Sequence, residues 1–363
     1  MSEIRIGVIN GGGDAPGLNA AISALVRAGT GKFTAIGFRD GFEGMCNGGD
    51  TIPLNVQTVH GIMQHGGTIL GTRSSGPFSA KIANGEVREI EQSLIEDCLK
   101  TSQELGLEGL VVLGGDGTFM VAEQFARAGL PFIGLPKTID NDLAETDKTF
   151  GFETAVEYVK DALDRLRDTM TAHRRVMIVE VMGRSAGFIA LHGGVAGGAD
   201  MILLPEIPFS WSSVMKAAVG DSPERRRPYL IVVAEGAFPQ GEEILYRTKT
   251  HGDTGEWRRG GIAQNIADRL QEKFPSLEAR AVVLGHVQRG GSPIASDRIL
   301  AIQLGVMAAH LVTEKAWGYF PAVREGKIIA IPVAHALHDP KKVHPQHSLL
   351  QSARACGVLF GDE

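Results

Sequence analysis

Cysteine is scarce in this 363-residue chain: Cys46, Cys98 and Cys356 are scattered, odd in number and form no CxxC pair. Neither a disulfide framework nor a cysteine zinc site is indicated, and a reducing compartment fits best. Basic residues are outnumbered, 36 Lys and Arg against 42 Asp and Glu, for a formal charge of −6. That balance argues against general nucleic-acid binding and against an anionic membrane surface, while leaving room for a local basic pocket. No uninterrupted apolar run approaches the ~18 residues of a membrane span. The opening Met-Ser-Glu-Ile-Arg passes straight into a strand-like run without the basic-then-apolar order of a signal peptide. A cytoplasmic location is expected. Aromatics are few as well, at 6%.

Glycine is abundant instead, at 47 residues, roughly 13% of the chain against a usual level of about 7%. The glycines follow no three-residue period, which excludes collagen, and 43% hydrophobic residues without a low-complexity tract argue against disorder. They must serve turns inside a folded protein. At roughly 150 residues per domain the length predicts two domains, and repeated strand–helix units on both sides put the break near residue 150.

Short apolar runs recur, each leading through a glycine-rich or charged loop into a helix-like pattern, as buried parallel strands of an α/β protein do. The clearest strands are Ile4–Ile9, Leu110–Leu113, Phe132–Leu135, Val176–Val181, Leu230–Ala234 and Ala281–Leu284. Helix-like segments span Asn19–Ala28, Phe119–Ala128, Thr154–Thr169, Ala186–Ala196 and Ile262–Lys273. Thr248–Gly261 reads as a surface insertion and Pro332–Pro345 as irregular wrapping. Open α/β sheets bind ligands beyond the carboxyl ends of their strands, so the loops after the six strands are where chemistry should lie.

Those loops read GGGDAPG (11–17), GGDGT (114–118), PKTIDND (136–142), MGRSAG (182–187), EGAF (235–238) and GHVQRGGSP (285–293). The first two suit backbone cradling of phosphate, because glycine lets consecutive N–H groups approach closely. Neither is a Walker A loop, and Pro16 breaks the dinucleotide fingerprint. Asp116, inside the second loop, would repel a phosphate unless a cation such as Mg²⁺ bridged them; an Asx-type turn is the plainer alternative. Asp140 and Asp142 place two carboxylates after another strand, one able to take a proton from an attacking hydroxyl, although Asp-Asn-Asp also makes a good loop or cap. Arg174, Arg175, Arg184, Arg280, His286 and Arg289 stand around strand ends in the second half and suit a phosphate clamp. Glu235 can accept hydrogen bonds from sugar hydroxyls. Two phosphate-binding ends, a metal carboxylate and a base between them describe phosphoryl transfer from a polyphosphate donor to a hydroxyl of a phosphorylated acceptor.

At this point the chain strongly resembles the 6-phosphofructokinase family, whose motifs match GGGDAPGLNA, GGDGT, PKTIDND, EVMGRSAG, AEG and LGHVQRGGSP in order, from about residue 4 to 310. The resemblance implies two Rossmann-like three-layer α/β domains with largely parallel sheets and the active site in the cleft between them. Residues 1–151 with about 288–338 would bind nucleotide and Mg²⁺, and 152–287 with about 339–363 the sugar phosphate. It implies Asp140 as the base acting on the 1-hydroxyl of fructose 6-phosphate, and Asp116 as the Mg²⁺ carboxylate. Gly13, Arg73, Gly114, Gly115, Gly117, Thr118 and Lys137 fall on the ATP side, with Arg73 and Arg184 offsetting charge on the transferred group. Thr138, Met182, Gly183, Arg184 and Glu235 would hold the sugar. Arg175, Arg280, His286 and Arg289 match the sugar-phosphate clamp, with Arg175 and Arg280 reaching a neighbour's site in a homo-oligomer, tetrameric in the family's ATP users.

Donor choice turns on two positions. The pyrophosphate-using branch carries Asp where this chain has Gly117, whereas Lys137 is the residue that branch has before TIDND; steric logic favours ATP. The alternatives are pyrophosphate as donor, an NAD or lipid kinase sharing GGDGT, or a catalytically silent nucleotide sensor. Some positions depart from the family pattern. Arg73 comes one place early after Leu70-Gly71, Ser23 replaces an effector-site arginine although Arg27 is kept, and Asp200 stands for a glutamate. Glu224 and the arginines to Arg227 replace a lysine-rich segment, so the family's effector regulation does not carry over. His335, His338, His344 and His347 form HxxH-like pairs in the tail, where surface or packing roles outweigh a metal site.

Overall fold

The computed structural model describes residues 4–46, 48–79, 88–220, 227–242, 246–249, 257–337 and 339–363. The first unit runs β1 (Ile4–Asn10), α1 (Leu18–Gly29), β2 (Phe33–Phe38), β3 (Thr51–Leu54), α2 (Gln92–Glu104), β4 (Gly109–Gly114), α3 (Asp116–Arg127) and β5 (Phe132–Pro136). Its sheet has the order β3-β2-β1-β4-β5, parallel except for β3, which runs antiparallel to β2. The interior strands read as continuous apolar runs because helices cover both faces: Leu110, Val111, Val112 and Leu113 are fully buried. β2 and β3 escape the apolar-run criterion, since Thr34 and Gly37 interrupt one and Pro53 the other.

The second unit comprises α4 (Phe152–His173), β6 (Val176–Val181), α5 (Phe188–Ala196), β7 (Met201–Leu203), α6 (Trp211–Val219), β8 (Tyr229–Ala234), α7 (Ile262–Lys273) and β11 (Ala279–Val283). A small antiparallel pair, β9 (Tyr246–Lys249) with β10 (Trp257–Arg259), lies between β8 and α7. The main sheet is parallel, in the order β11-β6-β8-β7. Separate apolar clusters line its two faces, as they do for the first sheet. The predicted α/β architecture of two three-layer units with largely parallel sheets is what the chain adopts.

The chain then forms α8 (Ala295–Thr313), the hairpin β12 (Tyr319–Arg324) and β13 (Lys327–Pro332), and two short helices, α9 (Val333–Ala336) and α10 (Ser348–Ala355). By length and composition α8 is apolar enough to cross a bilayer. In this fold it packs along α1, so closely that a Cβ on Gly305 would stand 2.5 Å from the carbonyl of Ala21. The segment expected as irregular wrapping begins with β13's last residue and α9. Of the expected insertion, only its ends at β9 and β10 are described; Glu224 to Arg226 of the arginine run, and His338, also lie outside the described residues.

Strand order fixes where ligands go. β1 lies between β2 and β4, and β6 between β8 and β11, so the chain reverses direction across each sheet at β1/β4 and at β6/β11. Each reversal opens a crevice at the carboxyl edge, which places loop 11–17 beside 115–118 and loop 182–187 beside 284–291.

Candidate active site

The two glycine loops meet over Thr118. Any Cβ on Gly11 or Gly114 would collide with the Thr118 side chain, so these glycines let the first turn of α3 press against the ends of β1 and β4. Gly114 therefore serves packing and does not line the cleft, contrary to the expectation that it meets the donor. Gly12, at φ 74, turns the backbone so that its N–H donates to the carbonyl of Arg73 (3.0 Å). The first amides of α3 have no backbone carbonyl to bond within the helix, which makes this end receptive to anions. Asp116 opens α3 and accepts a 2.6 Å hydrogen bond from the Gly117 N–H.

Lys137, just beyond β5, is 3% exposed. Its ammonium donates to the carbonyls of Gly11 (2.9 Å) and Gly13. Burial, with the cations Arg289 and Arg184 nearby, pulls its pKa down to about 7. Arg73, despite its shifted register, reaches the same cleft and pairs with Glu43 at 3.0 Å.

The loop after β5 is held by its own hydrogen bonds. The Asp140 N–H donates to Thr138 Oγ1 (3.1 Å), and that hydroxyl donates to Asp142 Oδ1 (3.2 Å). The Thr149 hydroxyl donates to the Thr138 carbonyl (2.7 Å). Asp140 is 4% exposed, and its Oδ1 is buried with no hydrogen-bond partner. Buried carboxylate oxygens are normally paired, so this one, at the wall of the cleft, is open to a donor from a bound ligand.

From the second unit, Gly183 (φ 144) and Arg184 (φ 48) turn sharply after β6. A Cβ on Gly183 would come within 2.5 Å of the Ala186 carbonyl, so glycine is required there. The Arg184 N–H donates to Glu235 Oε1 (3.2 Å), and burial, followed by the charge of Asp140, pushes Glu235 up to about 6. Desolvation alone would lower the Arg184 pKa, but Asp140, Asp142, Asp116 and Glu235 together hold it above its ordinary value. The buried Gln288 accepts from the Met182 N–H (3.3 Å), bracing the turn. Arg289 lies over Gly13, where a Cβ would meet its Nη1 at 2.6 Å, and donates to the Asp14 carbonyl (3.0 Å).

One cleft therefore gathers Gly13, Arg73, Gly115, Asp116, Gly117, Thr118, Lys137, Thr138, Asp140, Arg184 and Arg289. Met182, Gly183 and Glu235 adjoin it through Arg184. Arg175 and Arg280 do not join it. Arg174 and Arg175 precede β6 and Arg280 is the second residue of β11, so all three stand at the entering ends of parallel strands, on the edge opposite the loops. There Glu278 holds Arg175 at 2.8 Å and Arg280 at 3.0 Å. His286 is exposed and also outside the cleft. The expectation of one arginine cluster thus splits in two, because a strand's two ends belong to opposite edges of its sheet. Among the described residues no group of three metal-ligating side chains occurs; His347 instead packs its ring on Phe188 and His192.

Sequence reasoning missed Phe42, Glu43 and Phe78, which also wall the cleft. Phe42 and Phe78 stack at 6.0 Å. The available signal was Asp40-Gly41 directly after β2, visible only once β2 is recognised as a strand.

A family model described as Phosphofructokinase matches residues 5–312. The chain is 43% identical over 360 residues to an ATP-dependent 6-phosphofructokinase of Chloroflexus aurantiacus, covering 99% of this chain and 98% of that one. It is 42% identical over 361 residues to a pyrophosphate–fructose 6-phosphate 1-phosphotransferase of Streptomyces coelicolor, covering 99% and 100%. The crystal structure of Pichia pastoris phosphofructokinase in the T-state superposes with a TM-score of 0.77 at 30% identity, over 98% of this chain but 37% of that longer chain. Matched along nearly its whole length by the family's model and by enzymes that carry its name, the chain belongs to the phosphofructokinase family of enzymes.

Proposed function

We propose that the chain transfers the terminal phosphoryl group of MgATP to the 1-hydroxyl of fructose 6-phosphate, giving fructose 1,6-bisphosphate and ADP in cytoplasmic glycolysis. The first unit, residues 1–151 with about 288–338, binds the donor. The second, 152–287 with about 339–363, binds the sugar phosphate.

Asp140 accepts the proton of the attacking hydroxyl through its unpartnered Oδ1. Thr138 orients Asp140 by accepting its N–H. The amides of Gly13, Gly115 and Thr118 and the Thr118 hydroxyl bind donor phosphates with Lys137, Gly117 leaving room for them, while Arg73 and Arg184 face the charge that spreads over the transferred group. Met182, Gly183, Arg184 and Glu235 hold the sugar and Arg289 its phosphate, which His286, exposed three residues before Arg289 and outside the cleft wall, meets from the open side. Arg175 and Arg280, away from their own cleft, complete a neighbour's site in a homotetramer.

Mg²⁺ fits the donor set. Asp116 gives a carboxylate at an anion-receptive helix start, in a cleft that Asp140 and Asp142 also line, and few protein carboxylates suffice for an ion that takes most of its ligands from phosphates and water. Asp116 would hold it, and the ion would neutralise charge on the donor phosphates.

The observation that carries ATP over pyrophosphate is the cleft wall. The space lined by Asp140 and Arg184 is also lined by the half-buried Phe78, backed by the buried Phe42 and Phe125, an apolar surface that a nucleoside can use and pyrophosphate cannot, and Gly117 puts no side chain into it. Lys137 and the Streptomyces coelicolor relative favour pyrophosphate. Parallel assays with the two donors decide: ATP should give the higher kcat/KM by about tenfold or more, and a preference for pyrophosphate overturns the reading.

Lys137 predicts a pH dependence. Its ammonium titrates near 7 in the free enzyme, and donor phosphate prefers the charged form. As pH rises past 7 the cation is lost, so kcat/KM for the donor should fall by about tenfold per pH unit once the neutral form dominates. Saturating donor holds the proton on, so kcat should fall less. Profiles for wild type and K137M check this, since the variant should lack that limb.

A further inference from the structure

The end of the chain returns to the cleft from outside. The Lys341 N–H donates to the Asp142 carbonyl (2.7 Å), and its ammonium donates to the carbonyls of Thr146 (2.8 Å) and Asp147 (3.1 Å). The same ammonium stands 5.3 Å from the ring centre of Phe188, the first residue of α5, which directly follows the 182–187 loop. Two residues on, the Val343 N–H donates to Glu206 Oε1 (2.9 Å), and that oxygen also accepts from the Gly187 N–H (2.9 Å). A three-residue segment thus ties the loop that carries Asp140 to the loop that carries Arg184.

The tie reaches Asp140 through its neighbour. Asn141 sits at φ 52, a left-handed conformation that costs a residue with a Cβ and persists only where the surroundings enforce it. It is held by accepting the Thr149 N–H (3.1 Å) and by donating to the Asp147 carbonyl (3.3 Å), the oxygen that Lys341 also contacts. Without Lys341, two carbonyls lose a charged donor and the anchor of Asn141 loses its outer support. Lys341 does not line the cleft and touches no reacting group.

We propose that Lys341 is a positioning residue for phosphoryl transfer, fixing the loop that carries Asp140 against the start of α5 so that base and sugar loop keep one register. The proposal rests on Asp140 being the base. Misplacement of a reacting group by ~1 Å costs on the order of 10²-fold, so the effect belongs on turnover and not on binding.

The test uses the full-length protein. Calorimetric titration with fructose 6-phosphate counts folded sites, and kcat is expressed per counted site. K341M is expected to lose about tenfold or more in kcat with both KM values within about threefold of wild type, while K341R, which keeps charge and donors, recovers most of the loss. The proposal falls if kcat per site in K341M stays within about twofold of wild type, if sites are lost in step with activity, or if Arg does no better than Met. Should K341M not fold, K341R and K341Q decide: Arg above Gln by about threefold or more supports the role, and equality overturns it. D140N is assayed alongside. If D140N keeps its turnover, the assignment of the base fails; if D140N is inactive and K341M is normal, only the role of Lys341 fails.

Discussion

Replacing Asp140 by Asn should lower kcat by about two to four orders of magnitude, the usual contribution of a positioned general base, equivalent to ~3–5.5 kcal/mol of transition-state stabilisation. The substitution is isosteric, so the 138–149 loop keeps its hydrogen bonds; the Asp140 N–H that meets Thr138 is untouched. Oδ1 has no hydrogen-bond partner to lose, and the cheaper burial of a neutral amide offsets the lost attraction to Arg184, so the melting temperature should change little. Fructose 6-phosphate affinity should change by less than about threefold, because the loss is confined to the transition state. Steady-state kinetics with calorimetric binding measures both quantities. A near-normal kcat would refute the assignment of the base.

The second large effect belongs to the donor. G117D should lower kcat/KM for ATP by about 10²–10³-fold. Position 117 is in the first turn of α3 beside Asp116, and its N–H already serves that carboxylate. A new carboxylate ~4 Å from a phosphate oxygen repels it by about 4 kcal/mol at an effective dielectric of 20, or nearly three decades in rate. The fold should tolerate the change, since acidic side chains in a first helical turn are favourable to the helix dipole. Pyrophosphate, which has no α-phosphate or nucleoside to place, should lose far less, so the donor ratio is the informative readout. An ATP kcat/KM within tenfold of wild type would show that this space is not the one the nucleotide uses.

Much of the site was legible because its signals are local. An apolar run followed by Gly-Gly-Asp-Gly or Thr-Ile-Asp-Asn-Asp states in a few consecutive residues that a buried strand ends and polar chemistry begins, and those loops do lie at one sheet edge. Helix ends were less legible: α3 starts three residues before Phe119 and α4 runs on to His173. The first extension, Asp116 to Thr118, carries residues that apolar periodicity ignores, and the second adds a single buried residue, Met170, among exposed ones. Phe42 and Glu43 were hidden because β2, broken by Thr34 and Gly37, gives no continuous apolar run to point at them. Lys341 had no sequence signal: the first lysine of a Pro-Lys-Lys run gains meaning only from the three carbonyls it meets.

The order of motifs, the carboxylates at 116 and 140, and the open position at Gly117 were determined by the sequence itself, since each depends only on residue type and on neighbours along the chain. Which loops share a cleft was decided by tertiary structure. β1 lies beside β4 and β6 beside β11, pairings between segments about a hundred residues apart that no local pattern encodes. The same geometry sent Arg175 and Arg280 to the opposite sheet edge, with Glu278, and brought Arg289 over Gly13. A side chain's type says what it can bind; strand direction and sheet order determine what it meets.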